Sequence, residues 1–302
     1  LGDALVMSGS EFGSSFEEVT CLFTEDNHKV YFTPPLTQLL RSEIRHIEGR
    51  IADFRCEVAL LTRNVKIQGD PVSSDGQLFG VHTMGMGSDV IYRIQDAEIT
   101  KCGQAFNLGR YCTHAHHGGP FEGNFIKANS IHHSYQRAVT THDTLYWEVR
   151  DNVAFNVKGH TYFVEDGNEK YNTFSGNLGI FTKFSSSLLK SDMKPATYWT
   201  AVPTNFWHDN VGAHSQKFGF WFELVGEAPD GHITPNVCAR HEALGEFHNM
   251  TLKLNAVLGL RIYPNWTPHE DPCDVSSPPA PQTLRKLTSY RHQSLCYFTK
   301  KH

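Results

Sequence analysis

Short apolar runs broken by Gly, Ser, Asp and Pro fill the chain from its first residues, as in Asp3-Ala-Leu-Val-Met7, Val19-Thr-Cys-Leu-Phe23 and Lys29-Val-Tyr-Phe32. No stretch among them carries a 3.6-residue apolar stripe, so the pattern predicts strands and turns rather than helices. Residues 54–69, FRCEVALLTRNVKIQG, continue it with two strands around Thr62-Arg63-Asn64. Residues 70–89, rich in Gly, Ser, Asp and Met, read as a loop.

Beyond that loop a loose repeat emerges. Ile99, Ile131, Val153, Leu178, Val211 and Met250 each open a similar unit, at spacings of 32, 22, 25, 33 and 39 residues, and Asn152, Asn177, Asn210 and Asn249 stand directly before the last four. A second strand-like segment follows in Ala138-Val-Thr-Thr, His160-Thr-Tyr-Phe-Val, Phe218-Gly-Phe-Trp-Phe and Val257-Leu-Gly-Leu. A unit of about 22 to 25 residues that grows by loop insertion predicts a parallel β-helix, in which single coils bury little and stacked coils share a core. Asn at one corner of successive coils can form a hydrogen-bonded ladder. A β-sandwich has comparable strand content, but its strands need not recur in this register. Residues 185–206 and 225–244 read as long loops, the Pro-rich segment after Pro264 as an excursion, and Leu284–Phe298 as the start of another coil.

Composition narrows the class. With 302 residues, 39% hydrophobic and 20% charged, the chain has ample material for a packed core. A net charge of -5 without a Lys/Arg block argues against a nucleic-acid surface. No apolar run reaches the roughly 18 residues of a membrane helix, and the abrupt ends read as a fragment of a longer chain. Seven cysteines show no zinc-ribbon spacing, and an odd count allows at most three disulfides. Asn249-Met-Thr and Asn265-Trp-Thr are glycosylation acceptors if the chain is secreted.

The chemistry concentrates between Gly109 and Gly167. His114 and His116, two apart on a strand, point to one side about 6 to 7 Å from each other, and a neighbouring coil about 4.8 Å away adds His142. Such a trio suits one divalent ion of the Zn, Ni or Cu type. A hydrogen-bonded polar stack is the alternative. Glu165 and Asp166 are the acid/base candidates for polysaccharide hydrolysis, although Glu-Asp-Gly also reads as a turn and neighbours on a strand face opposite ways. Arg137 and His160 are candidate substrate contacts, Arg137 by a bidentate pair with a sugar carboxylate or, alternatively, as a partner of Glu165 or Asp166. Tyr146, Trp147, Tyr162, Phe163, Trp199, Trp207, Phe220, Trp221 and Phe222 either stack on sugar rings or, by alternation, fill the core. Cys112 beside His114 is a weak nucleophile candidate. Nucleophile-elbow, P-loop and dinucleotide motifs are absent.

Four stretches, GQAFNLGRYCTHAHHGG, IHHSYQRAVTTHDT, GHTYFVEDGNE and FGFWFEL, together resemble the fibrocystin and fibrocystin-L family, and related cell-surface hyaluronidases and hyaluronan-binding proteins share part of the pattern. EVALLTRNVKIQGD, PATYWTAVPTN and LGEFHNMT extend the resemblance over nearly the whole chain, with Cys112-Thr113 standing where the family usually reads Pro-Ile. EFGSSFEEV and VYFTPPL are similar to the end of the family's β-rich G8 domain. The resemblance implies an all-β chain: residues 1–50 as the end of a G8-like domain, and 51–302 as a right-handed parallel β-helix with long loops. It also implies a Cys238–Cys273 disulfide and a place in the ectodomain of a large secreted or membrane-anchored protein of the cell surface or cilium. The expected role is adhesion, assembly or glycan contact with other surface proteins and glycans as partners. The alternative is a metal-assisted glycoside hydrolase acting on hyaluronan-like chains.

Overall fold

A computed structural model describes residues 2–11, 13–25, 29–38, 40–187, 190–228 and 236–300. Residues 4–60 form two antiparallel units: a four-stranded sheet of Ala4–Ser8, Phe16–Glu25, Lys29–Thr33 and Val58–Leu60, and a hairpin of Ile44–Ile47 with Arg50–Asp53. Parallel pairing begins only at Val65–Gln68, so residues 51–60 pair with the N-terminal strands and not with the coil expected to start at 51. The reason is a separate small core. Val6, Ala59 and Leu61 pack on Phe155 and Ile180, which project outward from the coils and dock the antiparallel sheet on them.

The rest is a parallel β-helix. Each full coil supplies three strands, such as Glu148–Arg150, Val153–Lys158 and Tyr162–Val164, and each strand pairs in parallel with its counterpart one coil away. One face is an eight-stranded sheet running from Thr83–Met86 through Thr113–Pro120, Val139–Leu145, Tyr162–Val164, Ala196–Thr200, Phe218–Phe222 and Leu258–Ile262 to Leu295–Thr299. The other two faces join in the long strand Glu246–Lys253. Inside, register stacks like on like: Ile126, Val149, Phe174, Trp207 and Phe247 form one row, with the Phe174 and Trp207 rings 4.0 Å apart. Burying each such side chain contributes about 1.5 to 3 kcal/mol.

The corner ladder exists, one rung away from where the spacing placed it. Asn129, Asn152, Asn177 and Asn210 are fully buried or nearly so, and each of the first three gives its backbone N–H and Nδ2 to Oδ1 of the next. Val211 pairs with Thr251, which puts Met250, not Asn249, beneath Asn210. Likewise Ile131 pairs with Ala154, making Asn129 the rung before Asn152. Two segments read as loops also contain strands of the eight-stranded face, Thr83–Met86 and Ala196–Thr200. The flanking Pro195 and Pro203 and an eleven-residue insertion between Lys183 and Tyr198, relative to Lys158 and Tyr162 one coil before, disguised the second, all of whose residues are buried. Residues 188–189 and 229–235, inside the other expected loop regions, lie outside the described residues.

Alternation sorts the aromatics into two layers. Trp147, Tyr162, Trp207, Phe220 and Phe222 belong to the inner core, whereas Phe163, Trp199 and Trp221 form a second apolar layer on the outside of the same sheet. Val225, Val257 and Phe298 pack against that outer layer. Of the aromatics considered for sugar stacking, Tyr146 alone is exposed.

Candidate functional site

On Thr113–Pro120 the side chain of Ala115 enters the core, so His114 and His116 turn outward together. His116 pairs in register with His142 on the next coil. One nitrogen from each of the three rings lies within 4.8 Å of the others, and the His116 ring centroid is 4.9 Å from those of both His114 and His142. A bulge between His116 and Gly119 interrupts the alternation, and His117 joins the same side with its ring 4.1 Å from His116 and its Nδ1 2.9 Å from Asp143 Oδ2.

Hydrogen bonds fix the orientation of two of the rings. His114 donates from Nδ1 to the Gly109 carbonyl at 2.9 Å, which leaves the lone pair on Nε2. That nitrogen is buried and has no hydrogen-bond partner among the described residues. His142 turns Nε2 to Asp166 Oδ2 at 3.0 Å, leaving Nδ1 on the other side, with Glu165 Oε2 4.0 Å from it. Backing a ligand's second nitrogen with a carbonyl or carboxylate is what protein metal sites do to fix tautomer and orientation. Burial lowers the pKa of His114 to about 3, and burial together with the charges of His117 and His142 lowers that of His116 to about 4. Both rings are therefore neutral donors near pH 7. Burial also opposes charge on His142, but its bond to Asp166 and the charges of Glu165 and Asp166 outweigh it and raise the value to about 9.

The acids differ in their surroundings. Burial raises the Glu165 carboxyl against the pull of Arg137 and His142, while Asp166 is more open. Both reach His142 because the strand ends at Val164 and the strict alternation ends with it. Glu169, which no sequence signal marked, is fully buried and accepts N–H bonds from Asp143, Asp166 and Gly167, shaping the turn that carries the two acids.

Arg137 and His160 stand elsewhere. Arg137 is fully enclosed, lies 3.6 Å from the Phe163 ring centroid, and makes a bidentate contact with Asp192 (Nε–Oδ1 3.2 Å, Nη2–Oδ2 2.8 Å). His160 is equally buried; its Nδ1 accepts from Ala196 N–H at 3.0 Å and Asp192 Oδ1 lies 3.7 Å from Nε2. Direct substrate contact by Arg137 and His160 is thus a correction to the sequence reading: both anchor the segment Lys190–Met193 through Asp192, and neither offers a donor to solvent. Arg137 reaches the site through Glu165, 3.9 Å from Nη1, and through Tyr111, whose ring centroid is 5.3 Å from it and 4.9 Å from that of His114. Cys112 is disulfide-bonded to Cys102, which removes it as a nucleophile. A second disulfide joins Cys238 to Cys273. Asn249 is exposed with Nδ2 2.5 Å from Asp209 Oδ1, and Asn265 is half-buried.

These coils also have relatives. The family model described as CEMIP beta-helix matches residues 78–260, the stretch that contains the histidine cluster and the Asn ladder. This chain belongs to that family. It is 33% identical to mouse fibrocystin-L over 82% of its length, 32% identical to the human cell surface hyaluronidase CEMIP2 over 86%, and 26% identical to the human cell migration-inducing and hyaluronan-binding protein over 97%. It spans 7%, 22% and 26% of those three proteins respectively.

Proposed function

We propose that this chain is an extracellular β-helix segment of a cell-surface protein, and that its histidine face holds one divalent transition-metal ion and contacts acidic polysaccharide. The observation that carries the reading is the convergence of His114, His116 and His142 within 4.8 Å, with His114 backed by Gly109 and His142 by Asp166. Three imidazoles favour Zn, Ni or Cu over Ca. Two disulfides suit an oxidising compartment, and relatives named for the cell surface and for hyaluronan support that location and a glycan ligand. Adhesion or assembly at a surface or ciliary membrane, with residues 1–50 closing a G8-like domain, is the wider role proposed for the parent protein.

Calorimetric titration with Zn²⁺ is expected to show one site per chain. His142→Ala should weaken it by at least about 100-fold, and Asp166→Asn, which alters only the backing carboxylate, by about 10- to 100-fold. A titration without saturable binding would leave the cluster as a hydrogen-bonded stack.

A second reading, hydrolysis, is favoured by one observation: two adjacent carboxyls in unlike settings, Glu165 held toward its protonated form by burial and Asp166 more exposed. Glu165 would protonate the leaving oxygen. Incubation with Zn²⁺ should then shorten hyaluronan on a sizing column, and Glu165→Gln should slow the shortening by about 100-fold or more. Unchanged hyaluronan with every metal tried excludes this reading and leaves the binding role.

A further inference from the structure

On the same outer face, one row of the sheet runs in register from His114 through Thr140, Phe163, Trp199 and Trp221 to Arg261 and Phe298. Arg261 is four coils beyond Thr140, about 19 Å at the usual strand spacing. Its guanidinium lies on three aromatic rings, 4.2 Å from the centroid of Trp221, 4.7 Å from Tyr263 and 4.8 Å from Phe218. Among the described residues no carboxylate comes within ion-pair distance of it and no acceptor takes a hydrogen bond from it. Burial lowers its pKa, while the acid that acts on it, Glu223, is engaged by Trp199 Nε1 at 3.2 Å. A half-buried arginine with unused N–H donors is costly unless something pairs with it.

Beside Arg261 lies a cavity of about 450 Å³. Lys194 and Lys217 stand at its edge, Phe218, Leu258 and Phe298 line it, and neither lysine makes an ion pair among the described residues. From this we infer that the cavity is an anion-recognition subsite for an acidic sugar residue, its carboxylate on Arg261 and its apolar ring face on Phe298. The inference rests on, and deepens, the glycan-contact reading above. Guanidinium forks match carboxylates bidentately, and aromatic rings take the C–H face of a sugar. The outer side, at Ser294 and Leu295, is open to solvent, which suits a ring with hydroxyl edges and leaves an alkyl tail uncovered.

Calorimetric binding of a hexasaccharide of alternating glucuronate and N-acetylglucosamine tests this, in low and moderate salt, with Zn²⁺ titrated on the same samples. Arg261→Gln keeps a planar group on the rings and removes the charge; it should weaken binding at least tenfold with Zn²⁺ affinity unchanged. Joint replacement of Lys194 and Lys217 by Ala should weaken it several-fold and flatten its salt dependence. The carboxyl-reduced hexasaccharide should bind at least tenfold more weakly than the acidic one. Equal affinity of Arg261→Gln and the unaltered chain overturns the subsite, as does equal affinity for the reduced sugar. Displacement by dodecanoate assigns the cavity to an amphiphile and also overturns it. Loss of binding in His142→Ala with none in Arg261→Gln places the sugar at the histidines, which overturns the subsite and leaves the proposed function intact.

Discussion

Asp192→Ala is expected to lower the stability of the coil region by about 3 to 5 kcal/mol, the usual consequence of removing one partner from a buried ion pair. Arg137 cannot escape by losing its proton, since a guanidinium stays charged in proteins. Without Asp192 its closest remaining acid is Glu165 at 3.9 Å, and Nη1 already lacks a hydrogen bond among the described residues. The loss spreads to His160, whose backbone N–H gives 3.1 Å to Asp192 Oδ1, and to Gly159, in a left-handed conformation where a Cβ would stand 2.8 Å from that oxygen. Denaturant unfolding followed by tryptophan fluorescence reads the effect, because the Trp199 ring lies 5.4 Å from that of His160, whose backbone Asp192 holds. Trypsin should cut faster after Lys190, which precedes Ser191, once the anchor is gone. Replacing Arg137 by Met as well should recover much of the loss, since no charge is then stranded; a double variant as unstable as Asp192→Ala would show that lost packing, not the unpaired charge, sets the cost.

The pH dependence of that difference has a definite sign. Burial raises the Asp192 carboxyl, but Arg137 and His160 outweigh it and the net shift is downward. A lowered folded value contributes stability that is complete above the ordinary carboxylate range and fades as pH falls through the folded value. The gap between the unaltered chain and Asp192→Ala should therefore be widest near neutrality and narrow in acid. His160 acts differently: burial lowers its value from 6.5 to about 3, so the unfolded chain takes its proton first and stability falls as pH drops between those values.

The β-helix was legible because its signal is redundant: turns, apolar segments and the Asn repeat all recur with the coil. The histidine trio was legible for a related reason, since an i, i+2 pair fixes two side chains on one face and a coil repeat supplies the third. What could not be read was anything that depends on a single-residue register. Taking Ile131 and Val153 as equivalents hid the Asn129 rung, because Ile131 and Ala154 are the true partners, and taking Met250 with Val211 put Asn249 in the ladder, because Val211 pairs with Thr251. The bulge after His116 turned His117 outward against alternation. Arg137 looked like a ligand for sugar because its partner, Asp192, is 55 residues away in an insertion whose fold-back no local pattern encodes. Arg261 carried no signal either. Its meaning lies in two rings of the neighbouring strand, Phe218 and Trp221, and in Tyr263 just past the end of its own.

Register itself can be tested with the Asn ladder. Asn177→Ala is expected to cost about 3 kcal/mol or more, whereas Asn249→Ala, at a position the spacing alone marks as equivalent, should cost about 1 kcal/mol, the strain of placing Ala at its left-handed φ of 52°. The Asn177 side chain accepts from Asn152 N–H and Nδ2 at 3.1 and 3.0 Å, and donates to the Val149 carbonyl at 2.9 Å and Asn210 Oδ1 at 3.1 Å. Truncation strands the Asn152 backbone N–H and the Val149 carbonyl where no water reaches, and each stranded group costs about 1 to 3 kcal/mol. The loss should propagate, because Asn152 also orients Asn129 through the same Oδ1 and Nδ2 geometry. Asn249 has no such role: it is exposed, its side chain bonds Asp209, and Met250 fills the place under Asn210 with its sulfur 3.5 Å from Nδ2. Hydrogen exchange distinguishes the two changes position by position. Asn177→Ala should release the Asn152 and Asn129 amides by orders of magnitude, and Asn249→Ala should release neither. Equal destabilisation by the two substitutions would mean that the coil pairs one residue out of the register described here, and that His116 and His142 no longer face each other across it.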